Sequence, residues 1–211
     1  MSDTYAQVMK MATSSAGQVF DAAVADFRAG VDEVLAADGE AGHFVFEDVP
    51  APKRLAPFAT SVAASVHREP ASARDEHDAD EAASGRLVLL HDPAGQESWS
   101  GVFRLVAYVR ADIEPEVAAD PLLGEVGWSW LTEALEAPGY AAASGTVTRV
   151  ITEGYGAKAG ELPVTGFELR ASWSPEDEPD LAGHVVAWCA CLAAAAGLEP
   201  PGTRALAPRR R

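Results

Sequence analysis

The run His91-Asp92-Pro93-Ala94-Gly95-Gln96-Glu97-Ser98-Trp99 gathers an imidazole, two carboxylates and an amide in one short loop. Such groups, held together, are the minimum for general acid–base work, because one takes up a proton while another gives one. His91, Asp92 and Glu97 are therefore the candidate catalytic residues, and a small hydrolase or lyase is the enzyme they would serve. The same residues also have a plainer use. A hairpin between two apolar strands needs Asp-Pro and Gly at its turn: Asp92 initiates it and Pro93 sets φ. That structural reading is the one we adopt, with the enzyme kept as an alternative.

A second set of residues is spaced for binding. Arg86 shares a strand parity with Val88 and Leu90, Arg104 and Arg110 share one with Val106 and Tyr108, and Arg170 shares one with Glu168 and Ser172. A period of two puts these guanidinium groups on one sheet face if the registers agree, and Arg149 is a candidate to join them. The planar guanidinium fork matches carboxylates and phosphates. Arg86, Arg104, Arg110 and Arg170, with Trp99 at the rim, thus form a candidate site for an acidic peptide, protein or other anion. The competing reading is a solvent-facing sheet with cross-strand Arg–Glu pairs.

Other clusters carry less. Asp75 to Glu81 is acidic with one His, but it lacks the glycine and alternate-residue ligand spacing of a calcium loop, so we expect no metal there. Gly154-Tyr-Gly156-Ala-Lys158 lacks the Gly-Lys-Ser/Thr of a phosphate loop and reads as a hairpin connection. Trp128, Trp130, Trp173 and Trp188 each fall on a stripe or parity that needs apolar filling. Cys189 and Cys191, the only cysteines, would point roughly 200° apart on a helix, so they read as buried thiols rather than a disulfide. No serine-hydrolase elbow, zinc-protease, dinucleotide or kinase motif is found, and no cofactor is expected.

Positioning any of these side chains requires a folded body, and the composition allows one. The chain has 211 residues, 48% of them apolar, and its 16 basic against 32 acidic residues give a net charge of −16. Sixteen excess negative charges disfavour general nucleic-acid binding. No apolar run is long enough for a membrane span, and Met1 to Tyr5 has no basic or apolar leader character, so a cytoplasmic protein is expected.

Periodicity predicts a helix at about 16–37, with Phe20, Phe27, Val31 and Val34 recurring at helical spacing. Extended segments follow at about 43–49 and 58–67. Strands at 85–91 and 99–110 form a hairpin. A helix at about 120–136 is capped by Asp120 and opened by Pro121. Strands at 144–153 and 164–173 form a second hairpin, and a helix runs from Pro179 to about 196. The expectation is an α+β fold in the order α-β-β-β-β-α-β-β-α, with a mainly antiparallel sheet of about six strands and three helices. Residues 15–198 would form a single domain, with 1–14 a flexible tail, 69–83 a mobile acidic loop and 199–211 a Pro/Arg-rich tail.

The block GRLVLLHDPAGQESWSGVFRLVAYVRADIEPEVAADPLLGEVGWSWLTEAL, residues 85–135, resembles an uncharacterised actinobacterial family, "domain of unknown function 3000". The likeness continues in Ala143 to Val150, Glu168 to Trp173, Ala187-Trp-Cys189 and the closing Pro-Arg-Arg-Arg. It implies an intracellular single-domain protein, and it assigns no activity, cofactor or residue role. The element order is also similar to that of small acidic secretion-chaperone-like proteins, which hold partner peptides on a helix-backed sheet. From these readings the leading expectation is a non-enzymatic binding or adaptor module. The homodimer, built on the helix carrying Trp128 and Trp130, stands beside the enzyme as a further alternative.

Overall fold

The computed structural model describes the backbone of residues 2–68, 81–160, 163–176 and 180–199, and side chains from residue 15 onward. One six-stranded antiparallel sheet forms the body, in the order β1-β2-β3-β4-β6-β5. Its strands are β1 (Phe44–Asp48), β2 (Phe58–His67), β3 (Glu81–Gln96), β4 (Gly101–Asp112), β5 (Tyr140–Thr152) and β6 (Val164–Pro175). The helices are α1 (Ser2–Asp38), α2 (Pro115–Ala119), α3 (Leu123–Leu135) and α4 (Leu181–Ala195). The fold is α+β, as expected from hairpins alternating with amphipathic helices.

Helices α1, α3 and α4 cover one face. From α1 come Phe27, Val31 and Val34, and from α4 Val185, Trp188, Cys189 and Leu192. These pack on the odd-numbered side chains of the central strands: Leu87 and Leu89 of β3, Leu105 and Val109 of β4, Phe167, Leu169 and Trp173 of β6. Alternation leaves the even-numbered residues of those strands on the opposite, outer face. Glycines set the closest approaches. A Cβ on Gly30 would lie 2.5 Å from the Ala182 carbonyl oxygen, so glycine lets α1 and α4 touch. Asp26 of α1 accepts a hydrogen bond from the Leu181 amide at 2.8 Å, which caps α4 from a distant part of the chain.

Several expected boundaries move. α1 begins at Ser2, not near residue 16, because residues 3–14 contain no glycine or proline to halt a helix. The expected acidic loop ends early: Glu81–Ala83 belongs to β3, where Ala82 and Ala83 are buried, and residues 69–80 lie outside the described ones. The 199–211 tail is likewise outside them beyond Glu199. The helix expected at 120–136 starts later, at Leu123, and a short helix that the sequence reading did not expect, α2, precedes it. Asp120 closes α2, its carboxylate accepts from the Leu122 amide at 2.8 Å, and α3 then begins. Trp99 sits in a one-turn 3-10 helix between β3 and β4, not in the strand that follows.

Candidate functional site

Strand register decides which arginines meet. Arg86 of β3 lies opposite Tyr108 of β4, and Tyr108 lies opposite Arg170 of β6, which in turn faces Thr146 of β5. The four side chains form one row across the outer face. The adjoining row is Val88, Val106, Ser172 and Ser144. Together they floor an open concavity of about 710 Å³, with Pro52 at its rim.

Both arginines in the row are held in place. Arg86 donates through Nη2 to the Pro50 carbonyl and to Ser61 Oγ, so it leans toward β2. The Arg170 guanidinium carbon stands 5.3 Å from the centre of the Tyr108 ring. Arg170 also pairs with Glu168 at 3.3 Å, and its side chain remains 69% exposed. Burial, then the neighbouring Glu168 carboxylate, pushes the Tyr108 phenol above its ordinary range. The site therefore combines two fixed cations, an aromatic platform and a row of apolar and hydroxyl groups. Such a set can hold an anion.

The remaining arginines of the set occupy the same face but play different parts. Arg104 is 7% exposed. It donates to the Ala142 carbonyl at 2.9 Å, the Ser172 carbonyl at 3.2 Å and Ser172 Oγ at 2.7 Å. Burial pulls its pKa down. It clamps the bulged start of β5, where Ala142 takes a positive φ of 50°, onto β6. Arg110 is exposed farther along, opposite Ser84 and Glu168 and beside Asp112, outside the concavity. Trp99 is buried against Val88 and Leu90 and is not among the residues that line the concavity. Arg149 has the opposite parity: it pairs with Phe167 in register and donates to the Asp120 carbonyl, which removes it from the set.

His91, Asp92 and Glu97 are not brought together. His91 turns to the helix side and stacks on Phe103 at 4.4 Å, with Phe20 and Phe58 beyond. Its Nδ1 bonds to the Val102 carbonyl at 3.2 Å, and burial lowers its pKa. Asp92 instead accepts from the Ala94 amide and from Gln96, as a turn-initiating residue does. Glu97 is exposed in the following turn. Among the described residues no group of His, Cys, Asp and Glu is arranged to hold a metal.

Sequence reasoning missed Tyr108, the loop residues Pro50 and Pro52, and Ser61 of β2. Tyr108 carried a signal, since it shares the parity of Arg104 and Arg110. The loop carried none, because its contact with Arg86 exists only after β2 and β3 pair.

A family model, described as a protein of unknown function (DUF3000), matches residues 23–204. The chain belongs to the DUF3000 family. The match spans all six strands and α4, so the Arg86–Tyr108–Arg170 row lies within the DUF3000 region. No curated protein and no solved structure matches the chain. Among the described residues, no helix of this DUF3000 protein is long and apolar enough to cross a membrane.

Proposed function

We propose that this DUF3000 protein is a non-enzymatic binding or adaptor module, chaperone-like in its use of a helix-backed sheet, whose outer face takes an acidic segment of a partner protein. The observation that carries the reading is the in-register row Arg86, Tyr108, Arg170 across an open concavity. In a chain of net charge −16, two guanidinium groups fixed beside an aromatic ring favour a local anionic ligand that the rest of the surface repels. Each partner carboxylate would gain a charge-assisted hydrogen bond, and Val88 and Val106 would take adjoining apolar atoms. The proposal includes a cytoplasmic location, where the unpaired Cys189 and Cys191 stay reduced.

The test is affinity capture from native extract with the wild type, the doubly reversed R86E/R170E and, as control, R149E. A captured partner that disappears with R86E/R170E and persists with R149E supports the reading. An identical partner set for all three removes it. A second reading, a homodimer, draws on Leu122 and Val126, which are 57% and 42% exposed and one helical turn apart on the surface that also carries Trp130. Light scattering that shows a monomer excludes it.

A further inference from the structure

We propose that the segment held on the outer face is an acidic amphipathic α-helix lying across the strands, with two carboxylates seven residues apart, one for Arg86 and one for Arg170. The inference rests on the binding reading above and specifies its partner. Arg86 and Arg170 are two strands apart, with Tyr108 directly between them in register. Adjacent strands stand about 4.8 Å apart, so the two Cα atoms are separated by about 9.6 Å. The side chains preserve that spacing because both lean the same way: Arg86 toward Ser61 on β2, and Arg170 over Tyr108 on β4.

Seven residues of helix rise about 10.5 Å and return to nearly the same face, which matches the two cations. An extended segment presents same-side residues at about 6.7 or 13.4 Å and matches neither. The floor also suits a helix. Four strands extend the row about 14 Å from Arg86 to Thr146, room along the helix axis for about nine residues. Val106 of β4 lies one row from Tyr108, where the residues three and four positions after the first carboxylate would rest, about 4.5–6 Å along the helix. Glu168, paired with Arg170, is the carboxylate the incoming one displaces. Across β3, β4, β6 and β5 the row holds two cations and no carboxylate, Glu168 standing in the next row, and this charge complementarity favours an acidic helix over a basic or neutral one.

Fluorescence polarisation with three labelled synthetic peptides on the full chain tests the geometry. One is an Ala-based helix with Glu at positions i and i+7 and Leu at i+3 and i+4. The second has the same composition with the Glu residues at i and i+5, which splits them between faces. The third is the first with two prolines that forbid a helix. The first peptide should bind about tenfold or more tighter than the others, and R86E and R170E should each cost it about tenfold, with circular dichroism confirming that both variants are folded. Equal binding of the second or third peptide overturns the helix and leaves the binding reading standing. No binding by any peptide, or binding indifferent to R86E and R170E, removes both. Sedimentation of the chain alone covers the remaining case. A dimer lost in R86E would mean that a second copy occupies the face, which overturns the partner helix.

Discussion

His184 offers a quantitative test of the core that supports the site. It lies in α4 with no solvent exposure, and its Nδ1 accepts from Trp173 Nε1 at 3.2 Å. Trp173 is on the inner side of β6, between Ser172 and Ser174 of the outer face. With Nδ1 an acceptor, the neutral ring carries its proton on Nε2. Charging it puts a second proton on Nδ1, aimed at an indole N–H, so two donors meet in a buried space. Burial accordingly lowers the His184 pKa from 6.5 to about 4, against a smaller upward pull from Asp180 and Asp26. An unfolded chain binds this proton near pH 6.5 and the folded one resists it until about pH 4. The contribution is therefore intact above pH 6.5 and drains away as the pH falls. Linkage gives a loss of about 2 kcal/mol at pH 5 and about 3 kcal/mol below pH 4.

The perturbation is His184→Asn, whose side-chain oxygen can accept from Trp173 and does not titrate. Urea unfolding of both proteins at pH 7.5 and pH 5 isolates the residue, since all other groups titrate alike in each. The wild type should lose about 2 kcal/mol more than the variant over that interval. Equal losses would refute the reasoning, because they would mean that His184 charges as easily folded as unfolded.

Two further expectations follow from buried groups. His91→Phe should keep or raise thermal stability, because the ring is packed among Phe20, Phe58 and Phe103 and its buried Nε2 has no hydrogen-bond partner among the described residues. A fall in melting temperature of several degrees would show that the imidazole is needed there. Burial raises the Cys191 thiol to about 12 and pushes Cys189 upward as well, so a thiol reagent at pH 8 should label neither until denaturant is added. Stoichiometric labelling of the native protein would contradict that.

The hairpins and helices were legible because their signals are local. Alternation in Arg86-Leu87-Val88-Leu89-Leu90 and in Phe103 to Val109 specifies strands, and the apolar stripe Leu181, Val185, Trp188, Cys189 and Leu192 specifies α4, whose expected first residue, Pro179, lies outside the described residues. Boundaries failed where a distant contact decided them. Ala82 and Ala83 read as part of a polar loop until β4 and the helical layer bury them. The directions of the His91 and Asp92 side chains were hidden for a related reason: strand alternation turns His91 to the helix side, while Asp92 accepts hydrogen bonds within its own turn.

By itself the sequence determined the alternation of charge and apolar character on each strand, and hence that Arg86, Arg104, Arg110 and Arg170 would each sit opposite the core-facing residues. It also determined family membership. Only the tertiary structure decided which of them share a site. The register of β3, β4 and β6 aligned Arg86, Tyr108 and Arg170 in one row, while a bulge in β5 brought the Ala142 carbonyl to Arg104 and took that guanidinium out of solvent. Side-chain parity is a property of a single strand, written in its residue types. Register is a relation between strands distant in sequence, set by the packing of whole faces against the helices, and no local pattern encodes it.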